Sequence, residues 1–112
     1  NNKYYVIGVN SSKKYSILSR NNTASSVQST ANATKGTHKI CGLFTATTLK
    51  LFVDGVLIGS SNNAQSLVSS ANDLLLGQLR VVSDTSIRNN VRQAMIFNEA
   101  LTDAECITLT TL

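Results

Sequence analysis

The sequence is poor in the residues from which metal and redox centres are built. It contains one histidine and two cysteines in 112 residues. His38, Cys41 and Cys106 lie too far apart in the chain to form a recognisable zinc-binding spacing. A disulfide scaffold of this size would normally need more cysteines. We therefore expect no metal centre, and we expect two reduced thiols inside apolar segments, with pairing of Cys41 and Cys106 left open.

Acidic residues are also scarce, with six Asp and Glu in the whole chain. Glycoside hydrolysis normally needs two carboxylates about 5–10 Å apart. Asp54 is expected in a turn, and Asp103 and Glu105 at the start of a helix. No two of the others fall two residues apart on one strand. The sequence has no nucleophile elbow, and its isolated glycines form no phosphate-binding loop. These absences argue against an enzyme and against a cofactor.

No apolar run approaches the roughly 20 residues of a membrane-spanning helix. The formal charge is +4, but the basic residues are scattered. Nucleic-acid binding would favour a basic stripe interleaved with aromatic residues. We therefore expect neither a membrane span nor a nucleic-acid partner. A solvated basic surface is the favoured interpretation, and an anionic glycan is the alternative partner.

The length predicts one domain spanning residues 1–112. Asn, Ser and Thr are unusually frequent, and this polar, uncharged composition is typical of secreted or virion-surface proteins. We therefore expect an extracellular or virion-surface location. Because the chain begins with Asn1 rather than Met, we also expect it to be part of a longer protein.

The strongest structural signal is the segment 49–60, in which two apolar runs flank Asp54 and Gly55. An Asp-Gly pair suits a two-residue type I′ turn, because both central residues need positive φ. The predicted hairpin pairs Val53 with Val56, Phe52 with Leu57 and Leu51 with Ile58.

Several other segments alternate or concentrate β-branched, aromatic and aliphatic residues, as strands do. Strands are predicted at 3–9, 15–19, 25–29, 38–44, 73–82 and 91–98, with a short strand beginning at 67–68. Near the end, Thr102 and Glu105 fit a capping box and predict a helix over 103–109. The predicted fold is all-β, an antiparallel β-sandwich or jelly roll with one short C-terminal helix.

Four segments together resemble the concanavalin A-like lectin/glucanase superfamily, particularly its laminin G-like members. They are 36–42, the hairpin 49–60, the apolar-glycine strand 74–77, and the closing strand and helix 91–105. The resemblance implies a lectin-like jelly roll. The family's domain is usually longer, and this chain lacks the first strands of the family pattern. The resemblance therefore implies either a reduced, truncated jelly roll or a fold completed by an upstream segment or by a neighbouring subunit.

The polar loops supply the candidate ligand-binding side chains. These are Asn62, Asn63, Asp84, Arg88, Asn89 and Asn90. Amide, carboxylate and guanidinium groups are those that bond sugar hydroxyls. Laminin G-like domains often hold calcium in such loops. With Asp84 as the sole carboxylate the calcium site is poor, so a solvated loop is favoured and Ca²⁺ is the alternative.

Two functions follow from this interpretation. The first is a non-catalytic carbohydrate-binding module on a virion or cell surface, whose partner is a glycan or a glycosylated receptor. The alternative is a structural module of a capsid, spike or fibre, in which neighbouring chains or copies of this chain complete an open sheet edge.

Overall fold

The computed structural model describes residues 3–68 and 91–112, and within them the chain forms six strands and one helix. The elements are β1 (Lys3–Val9), β2 (Tyr15–Asn21), β3 (Thr23–Gln28), β4 (Ile40–Phe44), β5 (Thr48–Val53), β6 (Val56–Asn62) and α1 (Asp103–Thr110). The predicted strand 73–82 and the loop after it lie outside the described residues.

The strands form two antiparallel sheets, in the orders β1-β2-β3 and β4-β5-β6. Each sheet is a meander, because every strand pairs with its neighbour in sequence. The two sheets pack face to face, with β2 and β3 against β5 and β1 against β4. The predicted antiparallel β-sandwich with a short C-terminal helix is confirmed, and β3 confirms the weak strand expected near residues 25–29.

The core lies between the two sheets and is built mainly by alternate residues of the central strands β2 and β5, with one residue from β3. Its buried members are Tyr15, Ile17, Val27, Leu49, Leu51 and Val53. A period of two places each of these side chains on the inner face of its sheet. Ile17, Leu49 and Leu51 are completely buried. Each such side chain stabilises the fold by about 1.5–3 kcal/mol.

The central hairpin forms as predicted at its turn. Asp54 and Gly55 have φ of 50° and 84°, the positive values that a type I′ turn requires. Val53 pairs with Val56 and Phe52 pairs with Leu57, as expected. The third predicted pair is wrong, because Leu51 pairs with Gly59 and Ile58 is an extra, bulged residue.

The position of Gly59 gives a physical reason for this bulge. A Cβ atom at Gly59 would lie 3.0 Å from Cγ1 of Val27 on the facing sheet. The inner position opposite Leu51 therefore leaves no room for an isoleucine side chain. The bulge places glycine there and leaves Ile58 partly exposed.

Helix α1 lies on the outer face of the second sheet, where it contacts β4, β5 and β6. Its capping box is formed: Glu105 N donates to Thr102 Oγ1, and Thr102 N donates to Glu105 Oε2. Lys50 Nζ donates to both carboxylate oxygens of Asp103, at 2.9 and 2.8 Å. The helix therefore covers the face that carries Phe52, which is completely buried.

Residues 91–98 do not form the predicted strand. They have no regular secondary structure and are exposed, Ile96 by 74%. Apolar composition favoured a strand here, but a strand also needs a hydrogen-bonded neighbour. The described strands provide none for this segment. Leu67 and Val68 have no regular secondary structure, and the residues that would continue a strand from them lie outside the described ones.

Candidate functional site

Two of the predicted ligand-binding residues lie at the far end of β6. Asn62 is exposed, whereas Asn63 is buried. The side-chain amide of Asn63 donates to Thr45 O at 2.7 Å, and its carbonyl accepts from Gln65 N at 3.1 Å. Asn63 therefore joins two loops of the fold.

The other predicted ligand-binding residues lie outside the described part of the chain. They are Asp84, Arg88, Asn89 and Asn90. The structure places Asn62 and Asn63 next to each other only because they are neighbours in sequence. A ligand-binding role for the six residues stays a prediction.

At the opposite end of the sandwich, the structure forms a cleft that the sequence did not reveal. Its volume is about 490 Å³. The turn between β1 and β2, the loop before β4 and the start of β4 surround it. The lining combines apolar side chains with cationic ones: Val9, Lys13, Tyr15, Ala33, Thr34, Lys35, Gly36, His38 and Ile40.

One wall of this cleft is the turn between β1 and β2, which Asn10 holds in place. Asn10 Oδ1 accepts from the backbone N–H groups of Ser12 and Lys14, both at 3.0 Å. Lys13 has a φ of 62° within this turn. Its carbonyl accepts from Ala33 N at 2.7 Å. Short backbone bonds therefore fix Lys13 and join its turn to the opposite wall.

The opposite wall is the loop after β3, which the start of β2 anchors. Tyr15 N donates to Ser29 Oγ at 3.1 Å, and Ser29 Oγ donates to Ala31 O at 2.6 Å. The Tyr15 hydroxyl accepts from Thr34 N at 3.3 Å. The first wall leads directly into β2, and the second is hydrogen-bonded to Tyr15 at the start of β2. The cleft is therefore formed without a ligand.

His38 lies at the base of the cleft with both ring nitrogens facing acceptors. Nδ1 is 2.6 Å from Asp54 Oδ2, and Nε2 is 3.0 Å from Thr34 O and 3.3 Å from Lys35 O. A carbonyl or carboxylate oxygen can only accept a hydrogen bond. The two carbonyls and the carboxylate favour a ring protonated at both nitrogens, and the Thr34 hydroxyl, 3.2 Å from Nε2, can accept from that ring or donate to a neutral one. The hydrogen bond to Asp54 accordingly raises the pKa of His38 above 6.5, and the nearby carboxylate and backbone carbonyls add to this.

Asp54 links the central hairpin to the residues that precede β4. Its Oδ1 accepts from Lys39 N at 2.9 Å, while Oδ2 accepts from His38. Burial raises the pKa of this carboxyl. The hydrogen bonds from His38 and Lys39 N and the two positive charges outweigh that effect, and the pKa lies below its ordinary 3.8. Asp54 is therefore an ion-pair partner as well as a turn residue.

The cysteines lie on the outer side of the second sheet, away from the cleft. Both are free thiols, Cys106 completely buried and Cys41 half-buried. Burial raises the pKa of the Cys106 thiol to about 12, with further contributions from a hydrogen bond to Cys41 and from nearby negative charges. Cys106 is buried as expected, whereas Cys41 is less buried than the sequence indicated.

Two further observations concern the described residues alone. They contain no cluster of three or more His, Cys, Asp or Glu side chains that could hold a metal ion. Within the same residues, no helix combines the length and the apolar character needed to cross a membrane.

Comparison with known proteins gives one family match and one similar solved structure. A laminin G model of the concanavalin A-like lectin/glucanases superfamily matches residues 1–106. The solved structure is residues 221–444 of an S-layer domain-containing protein from Clostridium thermocellum ATCC 27405, with a TM-score of 0.51 and 19% identity. The match covers 97% of this chain and 57% of that one. At this identity the likeness shows the fold alone. No protein of curated function matches significantly.

Proposed function

Because this chain belongs to the concanavalin A-like lectin/glucanases superfamily, we propose that it is a non-catalytic carbohydrate-binding module of an extracellular, cell-surface or virion-surface protein. The family match over residues 1–106 is the observation that carries the proposal. Fold alone does not determine function. The proposal therefore also depends on polar loops and a cleft at the two ends of the sandwich.

The proposed ligand-binding side chains are the six predicted from the sequence. They are Asn62, Asn63, Asp84, Arg88, Asn89 and Asn90. Their amide, carboxylate and guanidinium groups can hydrogen-bond the hydroxyls of a sugar. Asn63 would contribute by holding its loop in place, since both ends of its side-chain amide are bonded within the fold.

Three of the four carboxylate side chains in the described residues, all but that of the exposed Glu99, are engaged within the fold, which supports a non-catalytic role. Asp54 is bonded to His38 and to Lys39 N, Asp103 is paired with Lys50, and Glu105 caps α1. Each of these groups stabilises a turn or a helix of the fold. None of the three lines the cleft beside His38.

The test is binding of the purified chain to an array of neutral and acidic glycans. We expect binding that Arg88→Ala and Asn89→Ala weaken. Arg92→Ala, which removes an exposed arginine a few residues further along, is the matched control and should bind as the unaltered chain does. Failure of the unaltered chain to bind any glycan would contradict the proposal.

A structural role is the second candidate, and the sheet edges favour it. Within residues 3–68 each sheet has three strands, so β1, β3, β4 and β6 are edge strands. Such edges can pair with a strand of another chain. The similar solved structure comes from a protein described as S-layer domain-containing. Sedimentation velocity tests this role: concentration-dependent assembly would support it, and a monomer at all concentrations would contradict it.

A further inference from the structure

We infer that the cleft beside His38 binds the acidic group of a saccharide, a carboxylate or a sulfate, between the ammonium groups of Lys13 and Lys35. This inference rests on the proposed function and narrows it to acidic sugars. It also adds a binding site at the end of the sandwich opposite Asn62. The cleft and the loops around Asn62 can be tested separately, because different residues form them.

In the described part of the chain, the titratable side chains that line the cleft are basic or, for Tyr15, neutral. Lys13, Lys35 and His38 line it, and none of the described lining residues is acidic. Asp54 compensates the charge of His38, but its two oxygens are engaged by His38 Nδ1 and Lys39 N. Among the described residues, no carboxylate pairs with either lysine. The two lysines therefore place positive charge on the rim, which attracts an anion.

Other lysines differ from Lys13 and Lys35 because their ammonium groups are hydrogen-bonded within the fold. Three ammonium groups are held by acceptors within the structure: Lys14 by Thr30 O, Lys39 by Thr111 O, and Lys50 by Asp103. In residues 3–68 and 91–112, the ammonium groups of Lys13 and Lys35 make no such bond. They are the lysines of the cleft that remain available to a ligand.

The remaining lining suits a sugar better than a bare anion. Val9, Ala33 and Ile40 give the cleft an apolar floor, on which the C–H face of a sugar ring can pack. The Tyr15 hydroxyl accepts from Thr34 N, so its own hydrogen is left to donate. A volume of about 490 Å³ falls in the usual range for small-molecule sites. An apolar floor with a few polar groups is typical of such sites.

The walls are fixed without a ligand, which favours binding at a shallow surface. Ala33 N bonds Lys13 O, and Thr34 N bonds the Tyr15 hydroxyl. His38 Nε2 faces the carbonyls of Thr34 and Lys35, which hold the base of the second wall. A preformed site loses less conformational entropy when it binds its ligand.

The test measures binding of three oligosaccharides of equal length by calorimetry: a neutral one, one bearing uronic acid carboxylates, and one bearing sulfates. The variant Lys13→Gln with Lys35→Gln removes both cleft ammonium groups. The variant Lys3→Gln with Arg92→Gln removes the same charge from exposed positions outside the cleft. We expect an acidic oligosaccharide to bind more tightly than the neutral one. We expect the cleft variant to bind the acidic oligosaccharide roughly tenfold more weakly than the unaltered chain does. The control variant should bind it with unchanged affinity.

The relative affinity of the carboxylated and sulfated probes identifies which acidic group the cleft prefers. Equal affinity for neutral and acidic sugars would overturn the inference and leave the proposed function standing. An equal loss in the two variants would also overturn it, because the attraction would then depend on overall charge. No binding of any of the three sugars, together with no binding on the array, would overturn the proposed function as well.

Discussion

Raising the pH from about 5 to about 8 is expected to weaken the link between His38 and Asp54. The two side chains are 2.6 Å apart and only 19% and 24% exposed. A raised pKa means that the folded chain holds the His38 proton more tightly than the unfolded chain does. The stabilisation is therefore fully present below pH 6.5 and is lost as the pH rises through the higher folded value.

Asp54 sets the acidic limit of the same effect. Its pKa is lower in the folded chain than its ordinary 3.8. Its contribution is therefore present above pH 3.8 and is lost as the pH falls through the lower folded value. Between these limits the pair is fully charged, so the fold should be most stable from about pH 4 to about pH 6.5.

The size of the expected loss in stability follows from the kind of hydrogen bond that joins His38 and Asp54. A hydrogen bond to a charged group contributes about 1.5–3 kcal/mol, and partial exposure to water reduces this. We therefore expect a loss of about 1 kcal/mol in the free energy of unfolding. For a chain of this size, that loss should move the midpoint of urea unfolding by roughly 0.5–1 M.

The assay is urea unfolding at a series of pH values, alongside an NMR titration of the His38 ring. His38 is the only histidine, so its titration is not confused with that of another ring. His38→Asn is the control, because its amide nitrogen can replace Nδ1 as a donor to Asp54 but does not titrate. The variant should show no loss over this range. A ring pKa at or below 6.5, or the same loss in the variant, would refute the reasoning.

Three further perturbations test the fold. Thr102→Ala should cost about 1 kcal/mol because it removes the acceptor for Glu105 N; urea unfolding checks this, and Thr102→Ser should keep most of the stability. Gly42→Ala should cost about 1–3 kcal/mol, because its Cβ would lie 2.9 Å from Ile17 Cγ2 across the sandwich; unchanged thermal unfolding would contradict that. Iodoacetamide should label Cys41 but not Cys106 in the folded chain, because Cys106 is buried and its pKa is about 12. Mass spectrometry would show both thiols labelled after unfolding, and equal labelling before it would contradict the expectation.

Local signals in the sequence predicted the parts of the fold that depend on neighbouring residues. The turn at Asp54 needs only two residues that tolerate positive φ. The cap at Thr102 depends on Glu105, three residues away. The family resemblance found in the sequence also agrees with the match over residues 1–106.

The features that sequence reasoning missed depend on contacts between distant segments. The bulge at Ile58 follows from the approach of Gly59 to Val27 on the other sheet. The Asp-Gly pair predicts a turn at Asp54, but nothing local in the sequence indicates that its carboxylate bonds His38, 16 residues earlier. A sole histidine just before a strand was the available signal, because such a ring usually finds a polar partner.

The sequence did not predict the cleft, because the cleft also depends on contacts between distant segments. Its walls come from the turn at residues 10–14 and the loop at residues 29–36, which neither a motif nor a spacing connects. Their apposition depends on bonds such as that from Ala33 N to Lys13 O. Such a bond joins residues far apart in the chain, so no local pattern in the sequence indicates it.

The extra residue at Ile58 has a consequence for how the chain meets other proteins. Along a regular edge strand, N–H and C=O groups alternate without interruption, so an incoming strand can add to it over its whole length. At β6 this alternation is out of phase after the bulge. A docking strand would have to carry a matching irregularity to continue past that point. The β6 edge therefore resists indiscriminate strand addition, which lowers the risk of aggregation on that side of the molecule.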